Sequence, residues 1–300
     1  MLHLLRDKVI RTMGSLCKNI CFNRLKSTLL SENKTIDKEI QLLLYLKYKE
    51  ILQKKMPLPS FEDVGFRVFS QNDEDGILLY IFSLIGTVNK KVVEVCAADG
   101  IQCNSANLII NHGWTGLLFD GDEEAVSKGK SYYSKCKDTA IFPPQLVHAW
   151  IDTENINTLI SSHGFQGEID LLGVDMDGVD YWIWKAIDCI KPRVMVVEYQ
   201  DIWGAEKSVT VPYKRDFNRF DIHEDYFGAS LPAFIKLGRE KGYRLVGCNR
   251  YGFNAFFVRS GIGEDVLPEV TAKECLKHPK VLQGILTRLP KVIDFDWLEV

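Results

Sequence analysis

Short apolar runs alternate with helical patterns through the middle of this 300-residue chain. The apolar runs are "KVVEVC", "TGLLFDGD", "QLVHAWI", "EIDLLGVDMDG" and "RVMVVEYQ", and the segments between them repeat apolar residues at helical spacing. Buried strands that are joined by helices need crossover connections, which produce a parallel sheet with helices on both faces. The pattern therefore predicts a doubly wound α/β domain.

The end of the predicted sheet differs from its beginning. The runs "RLVGCN" and "NAFFVRS" are joined by the turn "RYGF", which is too short for a parallel crossover. We therefore expect a hairpin and an antiparallel last strand, followed by a helical tail over residues 264–300. This ending is typical of a methyltransferase sheet, whereas a dinucleotide-binding sheet would continue parallel. The lack of G-x-G-x-x-G after the first strand also disfavours a nicotinamide dehydrogenase.

The N-terminal segment, residues 1–56, is basic and predicted to be helical. Residues 1–55 hold 12 Lys and Arg against 5 Asp and Glu, although the net charge of the whole chain is -3. The helical run "DKEIQLLLYLKYKEILQKK" ends before the prolines of "MPLPS", which predict a domain boundary there and a sheet domain over residues 57–300. A basic helix can lie on an anionic membrane surface or pack on the domain or a partner.

Charge and cysteine content indicate which partners and which cellular compartment to expect for the chain. Outside the basic segment the balance is acidic, which gives no reason to expect nucleic acid as a partner. The eight cysteines form no C-x-x-C pair, so we expect reduced thiols and a cytoplasmic protein. The first residues are too interrupted by charge for a signal peptide or a membrane span. The expected location is therefore cytoplasmic, with peripheral membrane contact as an option, and the oligomeric state is open.

Acidic residues follow the predicted strands at their carboxyl ends, where open α/β sheets bind ligands. The first strand ends in Ala97, Ala98, Asp99 and Gly100, whose small side chains allow close approach of a phosphate, a sugar or an adenosyl group. Asp120 ends the second strand 20 residues after Gly100, a position from which a carboxylate can accept both hydroxyls of a ribose. These positions predict a nucleoside-containing ligand.

Some of these acids have a structural alternative. An Asp before a helix accepts backbone N–H groups, so Asp99, Asp122 and Asp180 are also candidates for helix N-caps. Glu94 lies inside a strand that should be buried, and a buried carboxylate needs a partner. We expect it to bond the loop that holds a cofactor, to meet an ammonium group, or to belong to a structural pair.

Three carboxylates are expected to converge at one end of the sheet. Asp175 and Asp177 follow the fourth strand, and Glu198 ends the neighbouring fifth strand. Such a cluster favours a hard divalent cation, Mg²⁺ or Mn²⁺, or a shared proton that makes Asp175 a general base. His223 is a second candidate base. It lies in the long segment between residues 200 and 228, which is predicted to cover a substrate.

Several stretches together resemble the FkbM-like S-adenosylmethionine-dependent methyltransferases. They include "SQNDEDGILLYIFSLIG", "VEVCAADGIQCNSANLIINHGWTGLLFDGD", "IDLLGVDMDGVDYWIWKAI" and "YFGASLPAFIKLGREKGYRLVGCNRYGFNAFFVR", and their order and spacing carry the resemblance over residues 66–300. It implies a class I methyltransferase sheet in which Glu94 to Gly100 hold the methionine part of the cofactor. Cys96 stands where the motif commonly has glycine.

The resemblance also implies roles for individual residues. Asp120 would hold the ribose hydroxyls, Trp150 and Ile151 would flank the adenine, and Gln71 would close over the cofactor. We therefore expect an S-adenosylmethionine-dependent O-methyltransferase that acts on a small molecule or on a saccharide or glycan-precursor hydroxyl. Two alternatives are a glycosyltransferase that uses "DMD" as a D-x-D motif for a metal and a nucleotide sugar, and a non-catalytic scaffold with the same fold.

Overall fold

The computed structural model describes residues 36–300, and this part of the chain is built around a seven-stranded sheet in the order β3-β2-β1-β4-β5-β8-β7. A separate pair, β6 and β9, forms a two-stranded sheet. The strands are β1 (Lys91–Val95), β2 (Thr115–Asp120), β3 (Gln145–His148), β4 (Gly167–Val174), β5 (Ile190–Glu198), β6 (Val209–Thr210), β7 (Tyr243–Cys248), β8 (Asn254–Arg259) and β9 (Leu298–Glu299).

The pairing of the strands confirms the predicted fold class. β1 pairs in parallel with β2 and β4, and the same parallel pairing continues to β3 on one side and β5 on the other. β8 lies between β5 and β7 and runs antiparallel to both. The sheet is therefore the mostly parallel, Rossmann-like sheet of class I methyltransferases, and the hairpin that the turn "RYGF" predicted is present.

Helices cover both faces of the sheet. They are α1 (Lys38–Gln53), α2 (Phe61–Val64), α3 (Glu74–Ile85), α4 (Ala106–His112), α5 (Glu123–Tyr133), α6 (Ile156–Ser162), α7 (Asp180–Ala186), α8 (Leu231–Glu240), α9 (Ala272–Cys275), α10 (Pro279–Thr287) and α11 (Leu289–Val292). Each face has its own apolar core, because β1 sends Val93 and Val95 to one side and Val92 to the other. The middle residues of the inner strands β1, β2, β4 and β5 are buried, as a sheet covered on both faces requires.

Helix α1 packs on the sheet domain. Its Tyr48 meets Tyr80 of α3 with ring centroids 4.9 Å apart, and its buried Gln41 accepts a hydrogen bond from Asn107 Nδ2 at 2.9 Å. The compact unit that contains the sheet begins at Lys38, so it includes this helix, which the sequence analysis assigned to the N-terminal segment. The expectations for residues 1–35 lie outside the described residues. Between residues 36 and 300 we find no helix with both the length and the apolar character that a membrane span needs.

The segment over residues 200–228, called the covering segment below, is joined to the C-terminal tail. β6, which lies in the segment between β5 and α8, pairs with β9 at the end of the chain through Thr210 and Leu298. Trp297 beside β9 stacks edge-on against Trp203 and Tyr226 with centroid distances of 5.1 and 4.9 Å. The tail is helical, as predicted, but it ends in a strand that closes the covering segment.

Candidate active site

Two cavities meet at the carboxyl edge of the sheet. The β1 cavity, of about 260 Å³, lies over the turn that follows β1, and the β5 cavity, of about 560 Å³, lies over the end of β5. They share a wall that is formed by Gln71, Asp175, Asp177 and Asn254. A ligand in one cavity would therefore lie beside a ligand in the other.

The turn after β1 has an unusual backbone. Cys96, Ala98 and Gly100 have φ of +61°, +50° and +69°. A Cβ on Gly100 would lie 2.8 Å from Leu118 Cδ1, so a larger residue there would displace that side chain in addition to straining the backbone. Cys96 adopts the left-handed conformation that glycine adopts without cost. A cysteine at the position where the motif commonly has glycine therefore strains the backbone. Non-glycine residues with such strain are typical of functional sites.

Glu94 holds the loop that follows this turn. Its side chain is 2% exposed, and its two carboxylate oxygens accept hydrogen bonds from Asn104 N and Ser105 N, both at 2.8 Å. Burial raises the pKa of Glu94 above its ordinary value. Three partners were expected for Glu94, and the structure shows the hydrogen bonds to a neighbouring loop. Glu94 also lines the β1 cavity, together with Ala97.

Asp120 joins the ends of β1 and β2. One carboxylate oxygen accepts the N–H of Ala98 at 2.6 Å, and the other accepts that of Asp122 at 2.9 Å. The side chain lines the β1 cavity, as the ribose hypothesis requires. Asp122 is the N-cap of α5, because its carboxylate accepts from Glu124 N and Ala125 N.

Other predicted cofactor residues lie elsewhere. Asp99 pairs with Lys128 of α5 and accepts from Ile101 N. Within the described part of the chain, Asp99, Gly100, Trp150 and Ile151 are not among the residues that line either cavity. β3 ends at His148, and beyond it Trp150 is 59% exposed with its Nε1 donating to Arg215 O, whereas Ile151 is buried in the core. Gly100 shapes the turn without facing a cavity.

The three predicted carboxylates do converge. One oxygen from each of Asp175, Asp177 and Glu198 lies within 4.8 Å of the others. Burial, followed by the charges of Asp180 and Asp177, raises the pKa of Asp175, and burial together with the charge of Asp175 raises that of Glu198. The pair therefore retains a proton more readily than isolated carboxyl groups do.

The loop after β4, which carries Asp175 and Asp177, is held by a buried carboxylate. Asp180, at the start of α7, accepts the N–H groups of Met176 at 2.7 Å and Gly178 at 3.0 Å. This carboxylate is 1% exposed, and burial raises its pKa to about 6. Asp180 therefore ties down the loop instead of capping the helix in the usual way, and it positions Asp175 and Asp177.

The covering segment lines the β5 cavity as predicted, but His223 does not. Its Nδ1 accepts the N–H of Asp225 at 3.0 Å, and its ring centroid lies 6.1 Å from that of Phe295. Within residues 36–300, the wall of neither cavity includes His223. Arg219 of the same segment reaches the cluster and pairs with Asp177 Oδ1 at 2.7 Å.

Sequence reasoning missed several residues of the two walls: Glu74, Asn254, Arg219, Lys280 and Arg288. Glu74 is fully buried, and its Oε1 accepts from Asn249 Nδ2 at 2.7 Å and Asn254 Nδ2 at 3.0 Å. Glu74 begins the very apolar helix "EDGILLYIFSLIG", and an acid in such a helix could have been predicted to be buried and hydrogen-bonded. For Lys280 and Arg288, which pair with Asp201 on the wall of the β5 cavity, the sequence contains no comparable signal.

Comparisons with known proteins return solved structures only. No family model matches the sequence, and no curated protein matches it. The glycopeptide N-methyltransferase MtfA in complex with S-adenosyl-L-methionine is 10% identical, with a TM-score of 0.37 over 59% of this chain and 84% of its own. An S-adenosylmethionine-dependent methyltransferase from Clostridium acetobutylicum ATCC 824 is 11% identical, with a TM-score of 0.37 over 82% of this chain and all of its own.

A third such structure is the CcbJ methyltransferase from Streptomyces caelestis. It is 11% identical, with a TM-score of 0.41 over 63% of this chain and 90% of its own. The likeness concerns the fold alone. The fold class of this chain rests on its strand order, and its function has to be argued from its own site.

Proposed function

We propose that this chain is an S-adenosylmethionine-dependent methyltransferase that methylates a hydroxyl of a saccharide or glycan precursor. The observation that carries the proposal is the position of Asp120, which ends β2, lines the β1 cavity and bonds the turn after β1. In an open α/β sheet, a carboxylate at this point is suited to the hydroxyls of a nucleoside ribose. The resemblance of the sequence to FkbM-like methyltransferases supports the same cofactor.

The residues around the β1 cavity fit this cofactor. Asp120 would hold the ribose, and the turn that begins at Cys96, stabilised by the Glu94 bonds to the next loop, would hold the methionine part. Gln71 lies on the wall between the two cavities, where it would cover the cofactor. When bound, the cofactor supplies a methyl group on a sulfonium, which needs a correctly placed nucleophile. The adenine role of Trp150 and Ile151 stays a prediction.

The β5 cavity supplies the acceptor side. Asp175 lies on the shared wall, and its raised pKa suits a general base. This carboxylate would accept the proton of the acceptor hydroxyl and so prepare its oxygen to receive the methyl group that the bound cofactor would supply. Acidic and aromatic residues line the cavity together, a composition suited to a polar acceptor such as a saccharide.

Calorimetric titration tests the proposal directly. S-adenosylmethionine and S-adenosylhomocysteine are titrated into the wild type, into Asp120→Ala and into Asp122→Ala, and a nucleotide sugar is titrated into the wild type. We expect the wild type to bind both adenosyl ligands and Asp120→Ala to bind them at least about tenfold more weakly, because a lost charged hydrogen bond costs about 1.5–3 kcal/mol. Asp122→Ala removes the N-cap of α5 two residues after Asp120, so it controls for local destabilisation at the end of β2.

The two alternatives give different results. Binding of the nucleotide sugar alone would replace the proposal with the glycosyltransferase, which would use Asp175 and Asp177 as its D-x-D pair. Binding of none of the three ligands would favour the non-catalytic scaffold. Equal losses in Asp120→Ala and Asp122→Ala would show that Asp120 acts only through the turn.

A further inference from the structure

The carboxylate cluster brings together three acidic side chains, of which Asp175 and Glu198 are half-buried and Asp177 is exposed. One oxygen from each of Asp175, Asp177 and Glu198 lies within 4.8 Å of the others. Arg219 pairs with one oxygen of Asp177 and leaves its second oxygen for another partner. Carboxylate oxygens so placed match the ligand preference of a hard divalent cation. Charge alone does not establish such a site, since acidic clusters also occur without metals.

Asn254 provides independent evidence that something binds here. Its side chain is 5% exposed, and its Oδ1 has no hydrogen-bond partner among the described residues. The Nδ2 donates to Glu74 Oε1 at 3.0 Å, and this bond fixes which end of the amide is free. Buried side-chain oxygens in proteins are nearly always satisfied, so an unpartnered one calls for an explanation.

The free oxygen of Asn254 belongs to the same site as the cluster. Asn254 is paired with Glu198 across the β5–β8 ladder, and it lines both cavities together with Asp175 and Asp177. Glu198 Oε2 is also buried without a hydrogen-bond partner among residues 36–300. Amide and carboxylate oxygens are the ligand types that Mg²⁺ and Mn²⁺ take in proteins.

We propose that Asp175, Asp177, Glu198 and Asn254 bind one Mg²⁺ or Mn²⁺, and that this cation selects an acceptor with two adjacent oxygens. Four protein oxygens leave two positions of an octahedral ion open. These positions would face the β5 cavity, where a vicinal diol fits both of them. A bound hydroxyl loses its proton more easily next to a divalent cation, so the site would also activate the nucleophile, and the oxygen of Asp175 that does not bind the cation would take the proton. This second half rests on the proposed function, whereas metal binding does not.

Metal binding is tested without cofactor or acceptor. Mn²⁺ is titrated into the full chain, and the free ion is followed by electron paramagnetic resonance. We expect one site per chain, weakened at least about tenfold in Glu198→Gln and measurably in Asn254→Leu, because affinity follows the charge and number of ligands. Asp177→Asn keeps the side-chain shape and removes one ligand charge at a half-exposed position, so it should also weaken Mn²⁺ binding, and it guards against misfolding of the leucine variant. Thermal unfolding identifies variants that fail to fold.

Glu224→Gln is the matched control. Glu224 is an exposed acid on the wall of the β5 cavity, outside the cluster, so its loss changes the charge of the cavity by the same amount. Its Mn²⁺ affinity should stay within about twofold of the wild type. Absence of Mn²⁺ binding, or equal weakening by Glu198→Gln and Glu224→Gln, would overturn the metal site.

The acceptor half has its own readout. Open coordination positions on bound Mn²⁺ hold water and enhance the relaxation of solvent protons, so catechol, a small chelating diol, should reduce that enhancement more than phenol does. Equal effects of catechol and phenol would overturn the diol selection while the metal site stands. Mn²⁺ binding by a chain that fails to bind S-adenosylmethionine would reject the proposed function and retain the metal site.

Discussion

Glu198, the last residue of β5, lies directly opposite Asn254, the first residue of β8, in the antiparallel ladder of the sheet. This pairing exists because β8 enters the sheet between β5 and β7. It adds an amide to a group of carboxylates that otherwise come from the ends of parallel strands. The last hairpin is therefore part of the site. The hydrogen bond from Asn254 to Glu74, which holds the amide in place, can be tested by substitution.

Glu74→Gln should weaken both the fold and the site. Glu74 Oε1 accepts amide hydrogens from both Asn249 and Asn254, and Oε2 accepts the N–H of Asn72 at 2.9 Å, so a glutamine, which has one accepting oxygen, cannot satisfy all three donors. We expect the free energy of unfolding in urea to fall by about 2 kcal/mol and Mn²⁺ affinity to fall with it. Glu62→Gln, at an exposed site on α2, should change either quantity little. Unchanged stability in Glu74→Gln would show that these hydrogen bonds are not needed.

Arg219→Ala should loosen the covering segment. The guanidinium pairs with Asp177 and lies 4.5 Å from the ring centroid of Phe227 and 4.9 Å from that of Phe220. Loss of about 1 kcal/mol of cation–π and ionic contact should increase the open population, and with it the rate of chymotrypsin cleavage in residues 200–228, about fivefold. Lys214→Ala in the same segment is the control, since its exposed side chain pairs with Asp216, which is exposed and belongs to the same segment. Equal rates in the two variants would contradict a specific role for Arg219.

Ala98→Gly and Ala97→Gly should change stability in opposite directions. Ala98 is exposed with φ of +50°, so glycine relieves backbone strain there, and we expect a gain of about 0.5–1 kcal/mol. Ala97 is 3% exposed, and glycine there loses a buried methyl group and adds freedom to the unfolded chain. Denaturant midpoints at equal slope provide the comparison. A loss in both variants would mean that the strain in this turn is not relieved by glycine.

Asp75 should make stability depend on pH. Its carboxylate accepts the N–H groups of Val68, Phe69 and Ser70 and holds the loop that carries Gln71, while burial raises its pKa to about 6. A folded-state pKa above the unfolded value gives stability that is fully present below about pH 4 and is lost as the pH rises through 6. Relative to Asp75→Asn, the wild type should therefore lose up to about 3 kcal/mol of unfolding free energy between pH 4 and pH 7.

Urea unfolding at several pH values measures this difference. A difference between wild type and Asp75→Asn that stays constant across the range would contradict the raised pKa. Asp63, which is exposed and caps α2 through Ser60, offers a comparison at the surface. Because hydrogen bonds to Ser60 lower the pKa of Asp63, the contribution of this residue has the opposite sign and is lost as the pH falls.

Local patterns predicted the elements better than their ends. The apolar runs and the short turn "RYGF" predicted the strands and the final hairpin, because burial on two faces leaves a continuous apolar signature. The run "QLVHAWI" predicts a strand that includes Trp150, whereas β3 ends at His148. Strand ends depend on pairing with neighbours, and β3 has a neighbour on one side only.

The sequence by itself determined the class of the fold and placed Asp120, Asp175, Asp177 and Glu198 at one edge, because apolar runs mark the strands and the carboxyl ends of parallel strands lie at the same edge of a sheet. Only the tertiary structure decided which other residues join them. Glu74 and Asn254 are 180 residues apart and are brought together by the antiparallel insertion of β8. Lys280 reaches Asp201 because the tail folds back onto the covering segment. Such contacts depend on how elements that are distant in the sequence pack together. Short-range sequence patterns do not predict that packing.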